Sequence, residues 1–376
     1  MIGKTYCGEL QLVCVGCRRQ VTIQSSEWKC RDCGEAFLLR GVPAFERRRV
    51  GSVVQSMWRY HPEIPSEARV TLGEGCTPLV KADTSTSGIH YKLEYLNPTG
   101  SFKDRGMAFL STFLREMAID RVVEDSSGNA AASLAAYGAR AELRVHVFVP
   151  GGTSKGKLTQ VVSHGAQVTE VPGTRADAAA AAETAAKAGA YYASHYWNPF
   201  VIEGLKTYVY EMIEELDWES PDNIVLPCGH GTLLLGVYYG LRVLMQTGVI
   251  TRMPRLFCIQ ADACAPIVEA FDARARDTSP VEPAPSIAEG IRIPSPARGK
   301  EVLSALYATQ GQAISVPEER IPLAQAKLAH AGFYVEMTSA VAVAGLEQLL
   351  DNGVITRKDV TVVGLTGSGL KTNAAG

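Results

Sequence analysis

Three features of this chain could do chemistry: a lysine at a helix start, two glycine-bounded helix starts, and two Cys-x-x-Cys pairs. Lys103 stands in Asn97-Pro98-Thr99-Gly100-Ser101-Phe102-Lys103-Asp104-Arg105-Gly106. Pro98 and Gly100 interrupt regular structure, and Ser101 reads as a helix N-cap. Lys103 then falls in the first helical turn. The partial positive charge of a helix N-terminus disfavours an ammonium there, and partial burial acts in the same direction. A lysine with a lowered pKa is what Schiff-base chemistry requires. A lone lysine at a helix start is ordinarily a surface residue, so its neighbours along the chain must decide.

Asp125-Ser126-Ser127-Gly128-Asn129-Ala130 opens a helix expected over Ala130–Tyr137. Free N–H groups at a helix start bind anions, two serine hydroxyls add donors, and Gly128 permits close approach. Pro227-Cys228-Gly229-His230-Gly231-Thr232-Leu233 repeats the pattern of strand, glycine turn and helix, the recipe for a phosphate cradle. Leu365-Thr366-Gly367-Ser368-Gly369-Leu370-Lys371 follows the last apolar run. Near the start, Cys14-x2-Cys17 and Cys30-x2-Cys33 are separated by twelve residues. Four thiolates so spaced can surround a zinc ion, and four protein ligands leave no open position, so such a metal stabilises rather than catalyses. Gly34 supplies backbone freedom after the second knuckle. Cys7 reads as an ordinary thiol.

The lysine segment resembles the pyridoxal-phosphate (PLP) motif of threonine synthases, members of the tryptophan-synthase-β-like superfamily, or fold type II. Gly73-Glu74-Gly75-Cys76-Thr77-Pro78-Leu79 is similar to that family's segment upstream of the lysine. The resemblance runs from about Leu72 to Lys371, and the cysteine head has counterparts among threonine-synthase-like proteins. It implies that Lys103, with Phe102 beside it, carries PLP covalently. It implies that Ser126, Ser127, Gly128 and Asn129 hold the substrate carboxylate, with Asn129 also on the cofactor's 3-hydroxyl. It places the 5′-phosphate at Gly229, His230, Gly231 and Thr232, and Thr366 at the pyridine nitrogen. A hydroxyl there leaves that nitrogen largely unprotonated, which favours departure of a leaving group over long-lived carbanions. The family's O-phosphohomoserine site carries Asn-Ser and then Asn-Pro-x-Arg. Here His195-Tyr196-Trp197-Asn198-Pro199-Phe200-Val201 puts His195 and Tyr196 in the substrate-binding positions and Val201 in place of arginine. Loss of a bidentate guanidinium weakens phosphate recognition, so an altered substrate is expected, with Tyr196, Trp197 and Phe200 forming a more aromatic wall. Lys155 and Lys157 could serve an anionic side chain or simply be solvated.

The implied activity is PLP-dependent β/γ-elimination or replacement on a substituted amino acid, by a threonine synthase-like lyase. A β-replacement synthase of cysteate-synthase type and a serine/threonine-type ammonia-lyase fit the same scheme. A non-catalytic PLP-binding or zinc-ribbon interaction protein is the remaining alternative. The resemblance also implies a homodimer.

These residues need positioning elements. Short apolar strands, Ile89–Glu94, Leu143–Val149, Val168–Val171, Ile224–Pro227, Leu256–Ala261 and Val360–Leu365, suit a parallel sheet buried on both faces. Residues 176–190 contain ten alanines, a strong helix composition, and Thr232–Gln246 and Ala340–Leu350 also read as helices. Such alternation argues for an α/β architecture. The expected fold is that of a fold type II PLP enzyme with two open α/β domains and an N-terminal zinc-ribbon-like head. The head covers 1–45, the large PLP domain 46–106 and 196–376, and a smaller mobile domain 107–195. Residues 46–66 read as a polar connector. Residues 278–300, with five prolines, read as irregular.

The chain has 376 residues and a net charge of −2, a balance unlike that of a dedicated nucleic-acid binder. With 46% hydrophobic and 20% charged residues it can bury a core. No run of 18 apolar residues offers a membrane span, and the start lacks an apolar export segment. A cytoplasmic enzyme acting on a small amino acid, with no nucleic-acid or membrane partner, is the expectation. Five of nine cysteines fall within residues 7–33, which without an export signal reads as metal binding rather than a disulfide framework.

Overall fold

The computed structural model describes residues 10–371, apart from 52, 65, 84–87 and the side chains of Ser66, Lys155 and Lys157; Cys7 lies outside them. In chain order the strands are β1 (Gln11–Cys14), β2 (Gln20–Thr22), β3 (Phe37–Arg40), β4 (Leu79–Lys81), β5 (Ile89–Lys92), β6 (Arg121–Glu124), β7 (Arg144–Pro150), β8 (Gln167–Val171), β9 (Tyr191–Tyr192), β10 (Asn223–Pro227), β11 (Arg255–Ala261), β12 (Gln312–Val316) and β13 (Thr361–Gly364). The chain forms two compact units, one of residues 1–75 and 97–207, the other of 76–96 and 208–376.

The first unit holds two sheets. In the head, β2, β1 and β3 form an antiparallel three-stranded sheet. The second sheet, in the order β8-β7-β6-β9, is wholly parallel. The alanine-rich helix Arg175–Lys187 buries Ala178, Ala182 and Ala186, one per turn along a single stripe. Ala182 and Ala186 pack with Val123, Phe148 and Tyr192. The helix starts where the Thr174 N–H donates to Asp177 Oδ2 at 2.6 Å, a reciprocal cap of the kind that fixes helix starts. Residues 46–66 are not a polar connector. Met57, Trp58, Tyr60 and Ile64 are buried there, and Trp58 stacks on Phe109 with ring centroids 5.8 Å apart. The prolines and charges of the segment hid this apolar set.

The second unit is built on a six-stranded sheet in the order β12-β11-β10-β13-β5-β4, parallel except for the edge pair β4–β5. Val225, Phe257, Ile259 and Val363 from its strands, with Leu365 just after β13, pack with Val341, Ala344 and Leu346 of the helix Met337–Asp351. A buried cation stands at the end of β5, beside the edge strand β4. Lys92 Nζ is paired with Glu211 at 2.7 Å and with Glu215. Glu211 also accepts the Cys76 N–H at 2.7 Å and the Thr77 N–H at 2.9 Å. Residues 278–298 are irregular apart from one short turn at Glu289–Ile291, and the helix Gly299–Ala308 follows. Among the described residues no helix is long and apolar enough to cross a membrane.

Candidate active site

Lys103 is the first residue of the helix Lys103–Glu116. The loop before it is locked from within. Asp104 is fully buried and accepts the Thr99 N–H at 2.7 Å and the Thr99 hydroxyl at 2.5 Å. Gly100 has φ +82°, a conformation that glycine adopts at no steric cost. Asn97 Oδ1 accepts the Gly75 N–H at 3.0 Å, which ties the upstream Gly-Glu-Gly segment to the lysine loop. Glu74 accepts the Tyr137 hydroxyl at 2.9 Å. The N-cap is Phe102, not Ser101. Ser101 lies one residue too early, and its buried hydroxyl finds no hydrogen-bond partner among the described residues. The helix opening is held by the Asp104–Thr99 bonds instead. The Lys103 ammonium lies over the Phe102 ring at 4.7 Å from the centroid.

Ser126, Ser127 and Gly128 lie between β6 and the helix Asn129–Arg140, with Gly128 as N-cap and Asn129 as the first helical residue. The Gly128 N–H donates to Ser126 Oγ at 3.2 Å. β6 and β9 are parallel neighbours with Val123 opposite Tyr192, so the segments leaving their C-terminal ends lie side by side. His195 and Tyr196 are thereby brought onto two carboxylates that the sequence reading did not single out. His195 Nδ1 lies 2.6 Å from Glu124 Oε1. Asp125 accepts from the Tyr192 hydroxyl at 2.9 Å and the Tyr196 hydroxyl at 3.3 Å. Burial pushes the Glu124 carboxyl well above the usual glutamate range; the charge of Asp125 adds to this and the Lys103 ammonium opposes it. Burial raises Asp125 as well, against its tyrosine hydrogen bonds. The signal was present in the sequence: two consecutive acids directly ahead of a glycine-containing helix start. Of the three aromatic residues, Tyr196 and Trp197 pack together with ring centroids 5.8 Å apart. Phe200 stacks on Phe113 at 4.8 Å in the core, and Trp197 carries Lys29 of the head over its ring at 5.8 Å. Val201 packs against Gly106, where a Cβ would sit 2.7 Å from Val201 Cγ1.

In the second unit the parallel pairing of β10 with β13 puts the segments after them on one edge of the sheet, the usual place for a ligand in α/β sheets. Gly229, His230 and Gly231 lie in the turn after β10, and Thr232 begins the helix Thr232–Gln246. Gly231 is the N-cap with φ +77°, and no side chain caps the helix. A Cβ at Gly231 would lie 2.3 Å from Val302 Cγ2. We expect Gly231→Ala to cost about 1–3 kcal/mol through overpacking, read as a lower denaturant midpoint; unfolding at the wild-type midpoint would show that the loop yields freely. After β13, the buried Thr366 Oγ1 lies 3.0 Å from Ser339 Oγ. Ser339 Oγ also accepts the Gly367 N–H at 2.7 Å. Ser339 was not anticipated; it stands in the apolar run of a helix, where only the fold shows its partner.

In the head, Cys14 Sγ and Cys33 Sγ are 3.3 Å apart and Cys17 Sγ and Cys30 Sγ 3.6 Å. The four sulfurs all lie within 4.8 Å of one another. The side chains of Lys155 and Lys157 lie outside the described residues.

Comparison with known proteins gives the family. Residues 70–367 match the family described as "Pyridoxal-phosphate dependent enzyme". A protein named threonine synthase from Methanocaldococcus jannaschii is 39% identical over 84% of this chain and 80% of its own length. Another, from Methanosarcina acetivorans, is 36% identical over 96% of this chain and 92% of its own. The crystal structure of an L-serine ammonia-lyase from Rhizomucor miehei has a TM-score of 0.69 at 19% identity, over 78% of this chain and 94% of that one; that likeness shows the fold. With a family match across the four-stranded and six-stranded sheets and two threonine synthases similar along most of its length, the chain belongs to the pyridoxal-phosphate dependent enzymes of fold type II, among their threonine synthase-like members.

Proposed function

We propose that this enzyme eliminates or replaces a β- or γ-substituent of an amino acid, with PLP held at Lys103. The observation that carries the reading is the lysine loop. Its amine begins a helix, and the bonds Asp104–Thr99 and Gly75–Asn97 fix the backbone on both sides of it. The residues fit the cofactor: a helix N-terminus without a side-chain cap, opened by a glycine whose Cβ would clash, suits a phosphate group. Bound PLP supplies an electron sink for charge developing at the substrate's Cα.

The chain's own residues do the rest. The Lys103 amine takes the Cα proton. Ser126, Ser127, Gly128 and Asn129 receive the substrate carboxylate, with Asn129 also on the cofactor's hydroxyl. Gly229, His230, Gly231 and Thr232 take the phosphate, and Phe102 flanks the lysine. Thr366, steadied by Ser339, offers the ring nitrogen a neutral partner. His195 and Tyr196 belong to the substrate side chain. The identity to threonine synthases favours a γ-substituted substrate, but His195 and Tyr196 stand where that family carries Asn-Ser, and Val201 offers no guanidinium. We therefore read a hydroxy amino acid as the better fit. The test is turnover of an amino-acid panel by the PLP-loaded protein, scored by ammonia, keto acid and phosphate release. No release from any member would sink the reading, and phosphate from O-phosphohomoserine alone would return it to threonine synthase.

The head is proposed to hold a structural zinc on Cys14, Cys17, Cys30 and Cys33; the closeness of the four sulfurs supports this reading. Zinc contributes on the order of 10 kcal/mol to small modules of this type. Cys14→Ser is therefore expected to lower the melting temperature by several degrees and to reduce bound zinc. A metal-free wild type that melts with the zinc-loaded protein would reject the site. We further propose a cytoplasmic homodimer, built from a large domain on the six-stranded sheet and a smaller one on the four-stranded sheet.

A further inference from the structure

A cleft of about 670 Å³ in the first unit is lined by none of the residues assigned above to cofactor or substrate. Its volume falls within the range of small-molecule sites. One wall is the cysteine head, through Trp28, Lys29 and Arg31. The other is the C-terminal end of the helix Arg175–Lys187 and its surroundings, through Ile119, Ala186, Lys187 and Tyr191. Trp28 and Tyr191 offer ring surface, and Ile119, Ala186 and Ala190 offer aliphatic surface; such a lining suits a flat apolar body. The polar side is cationic. Lys29, Arg31 and Lys187 all line the cleft, and a Cβ on Gly189 of its wall would lie 3.7 Å from Arg121 Nη2. Glu27 is the one acid among the described lining residues, and Arg19 donates to it at 2.5 and 2.9 Å, so its charge is already met. Asp32, 3.7 Å from Arg31 and 3.3 Å from Arg19, offsets part of the excess. The last carbonyls of the helix add partial negative charge, which Lys187 in the final turn opposes. The balance favours an anion.

We propose that this cleft binds a small organic anion with a planar apolar ring: an aromatic carboxylate, sulfonate or phosphate. The ring lies against Trp28 and Tyr191, and the anionic group is met by Lys29, Arg31 and Lys187. The head and the helix side each supply part of the wall, so the ligand touches two stretches of chain far apart in sequence. It binds the docked arrangement of the two and stabilises that docking by mass action. No covalent bond forms or breaks. The site is separate from the chemistry at Lys103 and does not depend on the function proposed above.

Naphthalene-2-sulfonate and 2-naphthol, the same ring with and without the charge, are the probes, titrated by calorimetry into the full-length PLP-loaded protein. One exposed ion pair is worth little alone, so the variant reverses two charges. Lys29→Glu combined with Lys187→Glu should weaken the sulfonate by about tenfold or more at low salt, and the naphthol by less than about twofold. Equal losses for the two probes, or an unchanged affinity for the sulfonate, would overturn the site. Hydrogen exchange on the wild type locates the probe even if the double variant does not fold. Saturating naphthalene-2-sulfonate should slow amide exchange in residues 24–34 and 186–191 together, the two stretches that form the walls. Protection of one stretch alone or of neither, including protection confined to residues 126–129, would overturn the proposal. Neither readout measures turnover, so a failure of the proposed function leaves both outcomes legible.

Discussion

Replacing Lys103 with alanine should abolish covalent attachment of PLP and lower kcat/KM by about 10⁴, the upper end of what one positioned proton-transfer group contributes. The effect is large because the proposed function joins two tasks at one nitrogen, holding the cofactor and moving the Cα proton. The fold should survive. The loop is organised by Asp104, Thr99, Asn97 and Gly75, none of which depends on the amine. Borohydride reduction followed by peptide mapping checks this directly. The adduct should sit on Lys103 in the wild type and be missing from the variant. A reduced adduct on another lysine, or a variant with wild-type turnover, would refute the assignment.

Lys92→Met should destabilise the protein by about 3–5 kcal/mol at neutral pH, the cost of leaving a buried carboxylate without its partner. Glu211 would keep the N–H groups of Cys76 and Thr77 but lose its counter-charge, and Glu215 would lose the ammonium too. The loss should depend on pH. Burial already raises the Glu215 carboxyl above its ordinary value, with Lys92 opposing the shift, and removal of Lys92 raises it further. A carboxyl raised in the folded state favours folding below its unfolded pKa, and that contribution disappears as pH rises through the folded pKa. The gap between variant and wild type should therefore be widest above neutrality and narrow toward the glutamate range. Denaturant midpoints at pH 5 and pH 8 measure it. Equal stability at pH 8 would show that the ion pair is energetically idle.

The elements that were legible in the sequence share one property: their signal is local. The continuous apolar runs at β7, β10 and β11 and the alanine-rich helix at Arg175–Lys187 stand where their composition put them. The place of Lys103 at a helix start was legible because a proline and glycines break the chain before it. What stayed hidden depends on pairing. β6 reads Arg-Val-Val-Glu and β9 only Tyr-Tyr, too short for a period to show. Yet their parallel register alone brings Glu124 and Asp125 against His195 and Tyr196. Ser339 and Thr366 meet across 27 residues of chain. Residues 46–66 misled for the opposite reason: charged and proline residues flank Trp58, which the fold nonetheless buries.

Tyr192 has a neighbour on each side. Its hydroxyl holds Asp125, and its ring meets the ring of Trp28, from the cysteine head, edge-on at 5.5 Å. Trp28 also lies against the cluster of Val123, Phe148, Ala182 and Ala186. A shortened protein beginning after the head would thus lose the cover over part of its own interior and the brace behind one of its acids. For anyone trimming this enzyme for crystallisation or display, the cysteine module is a lid on the smaller sheet, and cutting it away would uncover apolar surface where monomers could stick.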